Sequence, residues 1–373
     1  MHSFKRDEIT ILLGAGASVE AGIPHSAEMI ESVEKLINDT EEWAKFRDLY
    51  NYIRSSIYYS DGIRGKFDSS VNYNIERLVN TLEELSKKDQ HTLYPFVGSW
   101  NPKLVEVAQE DFKLVGELRK EIIRILNKWI ALEHFDAANY YRGLIEFQKE
   151  YQHPLRVFTL NYDLCVECAC KDVNIERGFD KESRKWDWRQ FEEIPDDPDI
   201  FLYKLHGSAD WKRDEDGSLT YVDTPSSIDE AALIFGATYK LQYLDPFLFF
   251  AYQFRRWSLE SRAIISIGYG YGDEHVNGMI RQALDADEQT LLLSVSPLFT
   301  DKSKEAIDEN KEAARIAKKE QIAQALENKK PKQIVFHDSG TRKFMTKDLR
   351  LNQLVNLLDL PPEKELFATV NDQ

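Results

Sequence analysis

Three stretches of this chain combine glycine, amide, carboxylate and imidazole groups in spacings that chemistry can use. Residues 9–18 read Ile-Thr-Ile-Leu-Leu-Gly-Ala-Gly-Ala-Ser and run on to Gly22-Ile23-Pro24. Glycine at 14 and 16 lets the backbone turn sharply after an apolar strand and come close to a ligand. A helix expected directly afterwards offers free N–H groups that suit a pyrophosphate, so a nucleotide is the natural guest. Val19 stands where the third glycine of a dehydrogenase fingerprint would be, which disfavours an ordinary hydride-transfer domain. The second stretch, Thr159-Leu160-Asn161-Tyr162-Asp163, and the third, Lys204-Leu205-His206-Gly207-Ser208, each close an apolar run with polar groups. Open α/β sheets hold their ligands at such carboxyl strand ends, so the three stretches should converge on one crevice. Asn161 brings both an amide donor and an acceptor, and His206 can take a proton near neutral pH.

Apolar β-type runs that could position these groups recur at 9–13, 155–160, 200–205, 232–236, 263–268, 290–295 and 333–337. Near-continuous apolar strands with helices between them predict a Rossmann-like α/β fold, a parallel sheet covered by helices on both faces. About 140 residues separate the first run from the second and carry apolar residues at helical spacing, such as Leu118, Ile122, Ile125 and Trp129. We therefore expect residues 1–39 and 151–373 to form the sheet domain and 40–150 a large helical insertion, with the stretch from Ser60 to Ser70 as a flexible connection inside it. Trp211–Val222, with Asp216-Gly217 at its centre, reads as a β-hairpin, and residues 301–330 as a charged, solvated helix. The aromatic run 246–252 reads as core packing or a subunit interface, and Asp273 is well placed as a helix N-cap, with His275 and Asn277 supporting that helix or the site.

The 373 residues are 42% apolar, enough for a substantial core, and carry a formal charge of -16, which makes direct nucleic-acid binding an unfavourable expectation. No apolar stretch approaches the roughly 20 residues of a membrane helix and no signal-peptide core opens the chain, so the expectation is a cytoplasmic protein without membrane contact. The three cysteines, 165, 168 and 170, fit a reducing compartment and fall one short of a tetrahedral zinc site, so no metal is expected.

The Gly-Ala-Gly-Ala-Ser turn with Gly22-Ile23-Pro24, Thr159-x-Asn161-x-Asp163, His206-Gly207 and Gly268-Tyr269-Gly270 resemble, in order, the NAD-binding and catalytic motifs of the sirtuin superfamily. The segment from Gly268 to Asn277 is similar to the G-x-x-x-x-D-x-H segment of bacterial sirtuin-like domains in antiphage defence systems. The paired C-x-x-C zinc module of the deacetylases is absent, and His25-Ser26 replaces their Phe-Arg. The resemblance implies that Asn161 and His206 are catalytic. It also implies that Ala15, Gly16 and Ser18, with Gly14 and Pro24 in the same loop, cradle NAD phosphates, that Asp163 accepts from the nicotinamide carboxamide, and that Gly268 and Tyr269 border the adenosine. Ser294 and Ser296 are further candidates for the adenosine ribose. It implies an NAD glycohydrolase that cleaves NAD+, as substrate, to nicotinamide and ADP-ribose, acting as the effector of an antiphage system, homo-oligomeric and paired with a HerA-type ATPase. Two other readings stay open: a subunit of a nucleic-acid-processing complex that senses NAD or ADP-ribose without turnover, and an NAD-dependent protein deacylase or ADP-ribosyltransferase.

Overall fold

The computed structural model describes residues 4–63, 65, 73–87, 102–109, 112–132, 135–192, 196–214, 217–222, 231–233, 245–298 and 311–360. Five strands form the centre of the fold: β1 (Ile9–Leu13), β2 (Leu155–Thr159), β4 (Ile200–Lys204), β8 (Ala263–Ile267) and β9 (Leu291–Ser296). The first four are buried along their whole length, as strands covered on both faces must be. With β3 (Ile175–Glu176) and β10 (Ile334–Asp338) they form a seven-stranded sheet in the order β10-β9-β8-β1-β2-β4-β3. Every pairing in that sheet is parallel. The chain leaves β1 towards β2 on one side and later returns to β8 on the other. β1 is therefore the switch point, where crossovers diverge and leave a crevice beyond the strand ends.

The run at 232–236 does not join this sheet. Its described part, β7 (Ala231–Leu233), pairs antiparallel with β5 (Gly207–Arg213), which also pairs antiparallel with β6 (Leu219–Tyr221). β5 follows β4 almost directly through the His206 turn and leaves the parallel sheet, and its two edges take β6 and β7. β5 and β6 make the expected hairpin, although residues 215–216 of its turn lie outside the described residues. Residues 64 and 66–70 of the expected flexible stretch, and 301–310 of the charged helix, also lie outside them.

The helix expected directly after β1 is replaced by two single 3-10 turns, Ala15–Ala17 and Val19–Ala21. Gly22, at φ 97°, ends the second, and α1 (Ser26–Asp39) starts only after Pro24. His25 caps α1: its side chain accepts from the Ala27 and Glu28 amides, while the Glu28 carboxylate takes the His25 N–H, a reciprocal capping box. α2 (Arg47–Ile63), α3 (Ile75–Ser86), α4 (Pro102–Ala108) and α5 (Lys113–Ile130) follow, and with α1 they share one core through Val33, Leu49, Leu78, Leu82 and Leu118. Residues 135–142 and α6 (Gly143–Tyr151) pack instead on one face of the sheet, with Tyr141, Leu144 and Phe147 against Leu13 and Val157. After the short α7 (Cys165–Ala169), the other face is covered by α8 (Phe247–Glu260) and α9 (Glu274–Ala286), where Phe250, Phe254 and Ile280 meet Leu12, Phe158 and Ile264. The aromatic run at 246–252 is thus largely core, with Leu248 and Tyr252 left exposed. No helix among the described residues is long and apolar enough to cross a membrane.

Candidate functional site

Beyond the carboxyl ends of β1 and β2, the Ser18 hydroxyl ties three segments together. The Asn161 side-chain nitrogen donates to the Gly14 carbonyl and to Ser18 Oγ, each at 3.0 Å. A carbonyl can only accept, so the amide orientation is fixed: both N–H bonds are spent and Oδ1 is what Asn161 has to offer a ligand. Ser18 gives its proton to Asp163 Oδ2 at 2.7 Å, which makes Tyr141, at 2.9 Å, a donor to Ser18. The other Asp163 oxygen accepts from the Cys165 amide at 3.0 Å. Burial, then the neighbouring Asp163 charge, pushes the Tyr141 phenol well above its ordinary pKa, in keeping with a fixed donor. Thr159 holds the Asn161 amide from its own side chain at 3.0 Å, closing the turn that carries Asn161 out of β2.

The two glycines of the first loop let two loops pack closely. A Cβ on Gly14 would lie 2.6 Å from the Gly268 carbonyl, and one on Gly16 would lie 2.9 Å from the same oxygen. The Gly16 amide donates to that carbonyl at 2.9 Å, and the Gly14 amide to Ile267. Ala17 and Ser18 donate within the turn, to Gly14 and Ala15. Most amides expected to cradle a phosphate are therefore committed to the fold, and the loops after β1 and β8 are locked to each other.

His206 sits in the turn between β4 and β5, a turn that closes because Gly207 takes a φ of 96°. Its Nε2 lies 3.1 Å from Asp273 Oδ2, with the two side chains 4% and 5% exposed. Asp273 Oδ1 meanwhile caps α9 through the His275 and Val276 amides, so the N-cap expected there also reaches the imidazole. Tyr269 donates to the Asp273 carbonyl and to the Asn277 side chain. Asn277 in turn donates to the Tyr271 carbonyl, so these residues stiffen the loop that presents Asp273.

Beneath the site lies a buried charge cluster that the sequence did not announce. Lys204, 1% exposed, donates to the Asp163 carbonyl and reaches Glu167 at 3.1 Å. Arg177 donates to Asp210 at 2.6 Å, and Ser208 to the other Asp210 oxygen at 2.5 Å. Burial pushes the Cys168 thiol up to about 11 and the Cys170 thiol up to about 12, so both stay protonated at neutral pH. Among the described residues no group of three or more His, Cys, Asp and Glu could hold a metal ion.

A small cleft of about 50 Å³ opens at these strand ends, below the roughly 300–1,000 Å³ of most small-molecule sites. Ala15, Ser18, Pro24, Asn161 and Asp163 line its base, and Met29, Ile75, Glu76, Leu126 and Ile130 of the helical layer form its roof. Gly14, Gly16, Gly268, Tyr269 and His206 are not on its wall. The Tyr162 ring, which is, lies 6.3 Å from the His206 ring. Burial, then the charges of Glu76 and Asp273, push the Tyr162 phenol well above its ordinary pKa, so the roof carboxylate is felt close to the imidazole's partner. Ser294 is buried beside Tyr271, and Ser296 ends β9, neither of them on the cleft wall. Sequence reasoning missed Tyr141, Lys204 and Glu76. Tyr141 and Glu76 come from helical segments with no motif, and Lys204 is a single cation in an apolar strand whose burial only packing reveals.

Residues 155–334, from the start of β2 to the start of β10, match the family model described as the SIR2-like domain. No curated protein matches the chain. Among solved structures it is similar to a Sir2 homologue in complex with NAD, at 14% identity over 78% of this chain and 77% of that one, with a TM-score of 0.36. It is also similar to a mutant Sir2 homologue in complex with 2'-O-acetyl ADP-ribose, at 11% identity over 97% of this chain and 94% of that one, with a TM-score of 0.40.

Proposed function

We propose that the SIR2-like domain of this chain is an NAD+ glycohydrolase. The observation that carries the reading is the oriented Asn161 amide, held by Gly14 and Ser18 with Oδ1 left for a ligand on the wall of a cleft at the switch point. In this reading Oδ1 accepts from a ribose hydroxyl or from the attacking water. The bond between nicotinamide and ribose breaks with its electron pair leaving on nicotinamide, so positive charge develops on the ribose carbon and its ring oxygen. Water then adds to that carbon and loses a proton to His206, giving ADP-ribose. Asp163, a carboxylate on the cleft wall and already fixed by Ser18 and the Cys165 amide, orients the carboxamide of the leaving group.

The finer reading follows the resemblance of the segment Gly268–Asn277: the chain acts as a toxic effector in antiphage defence, as a homo-oligomer, with a HerA-type ATPase as its partner. A second reading, a subunit that senses NAD or ADP-ribose without turnover, is favoured by one observation, that His206 is not on the cleft wall. Nicotinamide release from NAD+ by the purified chain, alone and with its operon neighbour, decides between them. The first reading expects release that is lost in Asn161→Ala and His206→Ala with no acyl-lysine peptide present. NAD binding without release in any combination supports the sensor.

A further inference from the structure

We infer that Asp273 is a positioning residue for His206, forming with it a buried carboxylate–imidazole pair that fixes which ring nitrogen carries the proton. The inference rests on the reading of the site as one that cleaves NAD, and it assigns a role to a residue otherwise accounted for as a helix cap. Asp273 uses its two oxygens differently: Oδ1 takes the His275 and Val276 amides, and Oδ2 faces His206 Nε2 at 3.1 Å. A carboxylate can only accept, so Nε2 carries the hydrogen and Nδ1 keeps its lone pair. Nδ1 is buried and takes no hydrogen bond from the described residues. A buried acceptor without a donor is disfavoured, so the ring is set up to accept a proton through Nδ1 from a group that the protein does not supply. The arrangement also stabilises the imidazolium that forms once the proton arrives, because the carboxylate stays charged beside it.

The placement of Asp273 is over-determined, as a positioning group requires. Its backbone carbonyl accepts from Tyr269, and Asn277, one helical turn on, is held by Tyr269 and by the Tyr271 carbonyl. The groups around the pair are Tyr269 on the same loop, Tyr162 from the end of β2, and Glu76 from the helical roof, whose charge reaches both tyrosines. Capping alone would need only Oδ1, and a serine or asparagine would serve equally well.

The test uses the full chain labelled with 15N-histidine, with His206→Gln to assign the signal. The wild type is expected to show His206 as the Nε2–H tautomer. Asp273→Asn keeps the cap but can donate to Nε2, and is expected to move His206 to the Nδ1–H form and to lower kcat for nicotinamide release by at least about tenfold, with KM little changed. Asp273→Ser keeps the cap without reaching the ring, and covers the case in which the asparagine variant does not fold. An unchanged tautomer in the folded variants, or release at the wild-type rate, overturns the inference. If wild type releases no nicotinamide at all, the glycohydrolase reading fails, while the tautomer comparison still decides the pairing.

Discussion

Ser18 Oγ lies 2.7 Å from Asp163 Oδ2 while accepting the Asn161 amide at 3.0 Å, so one hydroxyl sets the orientation of the two side chains that face the cleft. Ser18→Ala removes that hydroxyl, leaving a buried carboxylate oxygen and a buried amide N–H short of a partner. Stability should fall by about 1–3 kcal/mol, read from chemical denaturation. Nicotinamide release should fall further than stability alone explains, by about tenfold or more, because Asn161 is then held by the Gly14 carbonyl alone and Asp163 loses its Ser18 donor. Release at the wild-type rate would show that the hydroxyl does not orient Asn161.

Gly14→Ala should act on the fold rather than on a ligand. The new methyl meets two backbone atoms, the Gly268 carbonyl oxygen and Tyr269 Cα, both at 2.6 Å, and neither can swing aside as a side chain would. The loops after β1 and β8 must part, and overpacking of this kind costs about 1–3 kcal/mol. The expected outcome is a lower urea midpoint with an unchanged slope. An unaltered midpoint would show that the loops are not locked together.

Lys204→Met leaves Glu167 and the Asp163 carbonyl without their buried donor. Breaking such a pair from one side costs about 3–5 kcal/mol. Lys204→Met with Glu167→Met in the same chain should recover much of that loss, and a thermal melting series over the two single variants and the double measures it. Lack of recovery would mean that the Asp163 carbonyl contact dominates.

Acid should weaken the chain through Asp210. Burial pushes its carboxyl up, but the charges of Arg177 and Lys204 outweigh that and hold it below the ordinary value of 3.8. A carboxylate whose folded pKa is depressed contributes stability that is complete above its unfolded pKa and is lost as pH falls through the folded value. Denaturation midpoints measured from pH 6 down to about 2 should show the wild type losing more of its stability below pH ~4 than Asp210→Asn, which carries no titrating group there. Parallel acid limbs in the two proteins would rule Asp210 out as a contributor.

Filling the cleft from its roof should separate ligand binding from folding. Met29 packs at the border of the helical core and lines the cleft, so Met29→Trp adds bulk where a ligand would sit. Calorimetric titration with NAD+ is expected to show affinity reduced by about tenfold, some 1.4 kcal/mol, or more, with little change in melting temperature. Unchanged affinity would place the ligand elsewhere.

What could be read from the sequence was whatever depends on neighbours in the chain. The apolar runs at 9–13 and 155–159 announced buried parallel strands, because alternation disappears when both faces are covered. The placement of Asn161 and His206 just past strand ends announced their side of the sheet, and Asp273 before an apolar-periodic helix announced its cap. The assignment of 232–236 to the parallel sheet failed because its partner is β5, a strand of the small sheet, and strand partnership between segments distant in the chain is not written in an apolar run. The glycines at 14 and 16 announced a tight turn, but not that their close neighbour is the Gly268 backbone, more than 250 residues away in the chain. Tertiary structure alone brought Tyr141 to Ser18, buried Lys204 under Asp163, placed Glu76 in the cleft roof and set Asp273 against His206. Each of these is a single polar contact between distant segments, whose energy is small beside the apolar burial that patterns the sequence. The sequence therefore determines the layers and the strand ends, and the packing of those layers decides which polar groups meet.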